Sequence, residues 1–185
     1  MVTTYFGAED LNRVSFLRGE EEFIKRALAC EHSVYVPFVK GNALCRKDEE
    51  SKKTSLYTVT YGDATEAFQK IVNDYSTIIN KPESRISETG VVLSFLGLKQ
   101  DDKIAEAHTL TYGRNNITYR GIPYFAFNIE EEETDVKELL PGHYEDLSFI
   151  DSCLMTNFDA SLFSHARMYI DWLRNIRFCT GCGHY

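Results

Sequence analysis

Nothing in this sequence approaches the length of apolar chain needed to cross a bilayer. The longest apolar run, Val91 to Leu98, is interrupted by Ser94 and falls far short of the roughly 20 residues required. The first residues, Met1-Val2-Thr3-Thr4-Tyr5-Phe6-Gly7, lack the basic region and apolar stretch that mark a secretory signal. Basic residues are scarce relative to acidic ones, 20 Lys and Arg against 28 Asp and Glu, for a formal charge of −8. A phosphate backbone is on average repelled by such a chain, and no compact basic stretch offsets the repulsion, so no nucleic-acid binding is expected of this segment. Neither a GxGxxG run nor a P-loop is present, which leaves direct cradling of a dinucleotide phosphate without support. The expectation is a soluble intracellular protein without a membrane partner. In that setting Asn116-Ile117-Thr118 is a chance match to a glycosylation acceptor.

What is present is the balance of an ordinary globular protein. Its 185 residues are 43% hydrophobic and 26% charged, enough for the core of one domain or of one domain plus an appendage. Glu20 to Ala29 places Phe23, Ile24, Ala27 and Leu28 on one side and charges on the other, an amphipathic helix. Val34 to Val39 reads as a strand, and Pro37, with no N–H to give, assigns it to a sheet edge or a bulge. Arg46 to Lys53 is almost wholly polar and is expected to be an exposed loop. Asp63 is placed to cap a second helix carrying Phe68, Ile71, Val72, Tyr75, Ile78 and Ile79, with Pro82 beyond its end.

Further on, Val91 to Leu98 reads as a strand covered on both faces. Ile117 to Tyr119 and Pro123 to Ile129, separated by Arg120-Gly121-Ile122, predict a hairpin whose second strand aligns Phe125, Phe127 and Ile129 on one face. The acidic run Glu130 to Glu133 ends it. Asp159 to Asn175 carries Leu162, Ala166, Tyr169, Ile170 and Leu173 on one stripe, a helix of about four turns. The fold class is therefore α+β, a mixed sheet flanked by helices, ending in a helix and a cysteine knuckle.

Five cysteines is an odd number. Cys30, Cys45 and Cys153 stand alone among apolar or mixed neighbours and read as small buried or half-buried side chains. Cys179 and Cys182 are different: Cys179-Thr180-Gly181-Cys182-Gly183 spaces two thiolates to reach one metal, with glycines permitting the tight turn. Three readings compete, namely half of a zinc ribbon, two unrelated cysteines, and a redox pair. The redox reading wants the first cysteine at a helix N-terminus after a strand, whereas here the pair follows a helix. A closed tetrahedral site needs four ligands, and only Gly183-His184-Tyr185 follow Cys182. His32, His108, His143 and His165 are scattered along the chain and read as surface or satisfied polar residues rather than catalytic bases.

The run Asp159-Ala160-Ser161-Leu162-Phe163-Ser164, then Met168-Tyr169-Ile170-Asp171-Trp172-Leu173, then Phe178-Cys179-Thr180-Gly181-Cys182-Gly183 resembles the helix and first zinc knuckle of the NADH pyrophosphatases of the Nudix class, in their fungal form. Leu11 to Arg18, Val34-Tyr35-Val36-Pro37-Phe38, Phe95-Leu96-Gly97-Leu98 and Gly121-Ile122-Pro123-Tyr124-Phe125 are similar, in the same order, to that family's amino-terminal domain. The resemblance spans nearly the full length. It implies a non-catalytic Nudix-like domain over residues 1–156 and a helix with the first half of a zinc ribbon over 157–185, in which Cys179 and Cys182 bind structural zinc.

In the complete enzyme a catalytic Nudix domain with Mg or Mn hydrolyses the pyrophosphate of NADH or NAD, and of NAD-capped RNA, to a nicotinamide mononucleotide and AMP. Its motif is Gly, a Glu after five residues, then Arg-Glu-x-x-Glu-Glu after seven more. That motif is missing here: Gly19 is followed six positions later by Lys25, and Glu130-Glu131-Glu132-Glu133 lacks the arginine and the helical spacing. No catalytic and no cofactor-binding residue is therefore assigned to this chain. The resemblance also implies a homodimer and a cytosolic or peroxisomal location. The alternative is a stand-alone dimerisation or interaction module without enzymatic activity.

Overall fold

Period-two alternation along one long strand sets the architecture of the computed structural model, which describes residues 11–48, 50, 53–79, 90–100, 106–130 and 133–175. The chain runs through β1 (Leu11–Asn12), a 3-10 turn (Ser15–Gly19), α1 (Glu21–Leu28), β2 (Val34–Val39), β3 (Asn42–Asp48), β4 (Lys53–Leu56), β5 (Val59–Thr60) and α2 (Glu66–Ile78). It continues through β6 (Val91–Lys99), a 3-10 turn (Glu106–His108), β7 (Leu110–Arg114), β8 (Ile117–Ile129), α3 (Glu133–Leu139), β9 (Glu145–Asp146), α4 (Phe149–Ser152) and α5 (Asn157–Asn175). The sheet order is β1-β6-β8-β2-β3-β4, with β5 on β2, β7 on β8 and β9 on β3. Only β2 and β8 pair in parallel among the described strands, so the sheet is mixed. This is the α+β arrangement expected from the sequence, consistent with a Nudix-like fold.

Successive side chains on a strand point to opposite faces, and β8 uses both. Phe125, Phe127 and Ile129 join Tyr35, Leu93 and Phe95 in a core closed by Phe23, Ile24 and Leu28 of α1 and by Phe68 and Val72 of α2. Tyr124 and Ala126 join Val36, Phe38, Val92 and Leu96 in a second core, closed by Ala160, Leu162, Ala166 and Ile170 of α5. The sheet is thus a middle layer between α1 and α2 on one side and α5 on the other. A bulge between Phe95 and Gly97 shifts the register. With one residue added, Leu98 returns to the face of Phe95 instead of the opposite one.

Several expectations need correction. Strand β2 lies inside the sheet, between β8 and β3. Pro37 is tolerated there because the other flank is shared: β5 pairs Val34 and Tyr35, β3 pairs Phe38 and Val39, and neither registers with Val36 or Pro37. The missing N–H falls where a partner strand is already absent. Residues 46–48 are not loop but the outer half of β3, paired with Lys53 to Ser55 of β4. Backbone pairing holds this ribbon, and its exposed side chains left no apolar periodicity to read.

The predicted hairpin is one uninterrupted strand, β8, and the true partner is β7. Its two-residue turn is Asn115-Asn116, both left-handed with φ of 52° and 63°, the conformation asparagine tolerates best after glycine. Gly121 is needed for close approach rather than for turning, since a Cβ there would lie 2.8 Å from the Lys99 carbonyl oxygen. The cap of α2 is Thr65, whose Oγ1 accepts from the Phe68 N–H at 3.2 Å. Asp63 instead accepts from the Thr60 hydroxyl. Cys45 is buried and Cys30 half-buried, but Cys153 is exposed. Pro82 and Glu131-Glu132 lie outside the described residues.

Candidate functional site

The only residues singled out from the sequence as metal ligands, Cys179 and Cys182, lie outside the described residues. The described element leading toward them is α5, and what the structure supplies is the way that helix is fixed. Thr156 Oγ1 accepts from the Asp159 N–H at 3.1 Å, closing the first turn. The Arg18 guanidinium lies 4.5 Å from the centre of the Tyr169 ring, and its Nε donates to the Phe95 carbonyl at 2.8 Å. The N-terminal 3-10 turn, the sheet and the middle of α5 are thereby joined.

The last turns of α5 are held more tightly. Arg174 donates from Nε to Glu130 Oε1 at 2.5 Å and from Nη2 to Oε2 at 3.2 Å, the two-pronged pairing that the planar guanidinium favours. Glu130 Oε1 also accepts from Asn128 Nδ2 at 2.7 Å, and Asn128 Oδ1 accepts from the Gly41 N–H at 2.8 Å. Gly41 in turn offers its carbonyl to Arg167 Nη1 at 2.6 Å, while Arg167 Nε donates to Asp171 at 2.6 Å. The end of β8, the β2–β3 turn and two turns of α5 therefore form one closed network.

Gly41 is at its centre, with φ +82° and the Arg174 guanidinium in the space a Cβ would occupy. Gly41→Ala should displace Arg174 and strain the turn. The expected loss is about 2 kcal/mol, from left-handed strain of ~1–2 kcal/mol together with the weakened ion pair. Urea unfolding with an unchanged slope checks it, and Gly41→Asn is expected to lose less.

Beside this network is a cavity of about 620 Å³ bordered by Lys40, Asn42, Lys137, His143, Tyr144, Glu145 and Asp146, among others. Glu145 is paired with Lys47 at 3.3 Å and lies 3.7 Å from His143. Of the scattered histidines, His32 and His108 are brought together with ring centres 4.6 Å apart. His165 lies against Arg13, and burial, with that neighbouring cation, lowers its pKa. Among the described residues no group of three or more His, Cys, Asp or Glu is placed to hold a metal ion. Nor is any described helix long and apolar enough to cross a membrane.

No family model matches the chain. Over an alignment of 185 residues that takes in 97% of it, the chain is 36% identical to the NAD-capped RNA hydrolase NPY1 of Saccharomyces cerevisiae (strain ATCC 204508 / S288c). The chain is a homologue of the fungal NAD-capped RNA hydrolases. A second relative of that name, from Schizosaccharomyces pombe (strain 972 / ATCC 24843), is 25% identical over 182 residues, again 97% of the chain. The chain spans 46% and 45% of these two hydrolases, about half the length of each. The resemblance read from the sequence is the one found.

Sequence reasoning missed the Gly41–Asn128–Glu130–Arg174 network and the cavity. Lys40-Gly41 between two apolar runs is a faint two-residue turn signal. Arg167 and Asp171 stand four apart as a helical ion pair does. Neither pattern tells which distant residue completes the contact.

Proposed function

We propose that this chain is the amino-terminal, non-catalytic portion of an NAD(H) diphosphatase. The complete enzyme hydrolyses the pyrophosphate of NADH, NAD and NAD-capped RNA to a nicotinamide mononucleotide and AMP. One observation carries the reading: 36% identity to an NAD-capped RNA hydrolase along 97% of this chain but only 46% of that protein. The carboxylate cluster that would hold Mg or Mn for phosphoryl chemistry is then supplied by the other half. Cys179 and Cys182 are two of four ligands of a structural zinc whose remaining ligands belong to that half as well.

The chain alone is expected to show no NADH turnover with magnesium or manganese and to retain little zinc by elemental analysis. The same chain joined to the rest of its coding sequence is expected to turn over NADH and to retain zinc. Turnover by the purified chain alone would overturn the proposal.

A second reading, an interaction module without chemistry, is favoured by Met168 and Trp172. They lie one turn apart on α5 and are 52% and 54% exposed. Light scattering of the isolated chain separates the two, since a module kept for assembly self-associates or captures a partner.

A further inference from the structure

Two imidazoles face each other where the α1–β2 corner meets the start of β7. His32 is half-buried and His108 exposed, and their ring centres are 4.6 Å apart with the planes inclined at 49°. A metal ion bound to an imidazole nitrogen lies about 2.0–2.1 Å from it, and so roughly 3.2 Å from the ring centre. Two rings held on one ion at about 90–110° then have centres roughly 4.5–5.2 Å apart. The His32–His108 separation falls within that span, at its near-right-angle end.

Both rings stand on fixed backbone. On either side of His32 the Glu31 carbonyl accepts from the Gly62 N–H at 2.9 Å, and the Ser33 carbonyl accepts from the Tyr61 N–H at 2.9 Å. His108 closes the 3-10 turn Glu106–His108, where the Thr109 N–H donates to the Glu106 carbonyl at 3.1 Å, and Leu110 then pairs with Gly121. Arg26 of α1 ties the two parts together by donating to the Thr111 carbonyl at 3.1 Å. Within this frame neither imidazole makes a hydrogen bond or an ion pair with a described residue, so their ring nitrogens are uncommitted.

The surrounding charge favours a cation. Glu106 is matched by Arg120, but Glu31, next to His32, has no basic partner among the described residues. Magnesium and calcium select oxygen ligands, whereas imidazole nitrogen suits zinc, copper and nickel. We infer that His32 and His108 together ligate one divalent transition-metal ion of that kind, which pins the start of β7 to the α1–β2 corner. With two protein ligands the ion keeps water in its other positions. The site uses neither Cys179 nor Cys182 and is independent of the diphosphatase reading.

Calorimetric titration with nickel(II) tests it, in the 185-residue chain carrying Cys179→Ser and Cys182→Ser so that no paired thiolates compete. Saturable one-to-one binding is expected, together with a melting temperature that rises with nickel concentration. His32→Gln and His108→Gln should each weaken nickel at least about tenfold, since even outer-shell changes at metal sites cost that much. A second readout needs no variant: the paramagnetic ion should broaden the ring-proton NMR signals of His32 and His108 before those of the other histidines. The inference is overturned by absence of saturable binding, by either variant binding nickel as the parent does, or by another histidine broadening first.

Discussion

Replacing Phe127 with alanine is expected to remove about 3–5 kcal/mol of stability, the usual cost of truncating a fully buried phenylalanine. Phe127 is 0% exposed, and its ring lies 4.7 Å from that of Phe68 and 6.4 Å from that of Tyr35. It also stands on β8 between Leu93 of β6 and Pro37 of β2. The vacancy would therefore open where α2 meets both central strand pairs, and main chain paired on each side cannot collapse into it. Phe127→Leu, which keeps most of the volume, should cost less than about 1.5 kcal/mol. Equal losses in the two variants, measured by urea unfolding, would show that this aromatic cluster packs more loosely than described.

The second large effect is alkaline unfolding. Tyr35 and Tyr57 donate their hydroxyl protons to the carbonyls of Leu28 and Pro141 at 2.5 and 2.7 Å, and burial raises both phenols above their ordinary pKa. Burial, with the nearby Asp159 carboxylate, pushes Tyr124 up from 10.0 to about 12. Raised phenol values mean that the unfolded chain loses its protons first. The contribution to stability is complete below pH 10 and falls as pH rises from there toward the folded-state values, by about 1.4 kcal/mol per pH unit for each such group. Tyr124 alone accounts for roughly 3 kcal/mol between pH 10 and 12. Stability measured across that interval should drop steeply in the parent and less steeply in Tyr124→Phe. A flat profile would mean that these phenols titrate as they do in water.

Elements that bury a whole side were legible from the sequence. The four apolar positions of α1, the alternation of Phe125, Phe127 and Ile129, and the stripe of α5 each repeat a period that only one secondary structure can bury. Elements held by backbone pairing alone were not. The outer β3–β4 ribbon presents charged residues to water on both sides, and Gly121 looked like a turn because tight turning and close approach select the same residue. The Thr65 cap was misplaced because Asp63 and Thr65 both offer an oxygen, and only the Phe68 N–H shows which is used. The family was legible from motif order, while the Gly41 network was not, since nothing local at Gly41 announces Arg174.

The central parallel pairing has a consequence for how the chain comes together. Val34 lies opposite Tyr124, and Leu11 opposite Lys99, so the middle of the sheet joins segments that a ribosome delivers far apart in time. Contacts of such long sequence separation demand loop closure before they repay it, and proteins dominated by them fold slowly. Until β8 has emerged, the flank of β2 that it pairs stays open, and Tyr35 and Phe68 lack the Phe125 and Phe127 rings that complete their cluster. That flank of β2 must wait for a segment synthesised 90 residues later, the separation of Val34 from Tyr124.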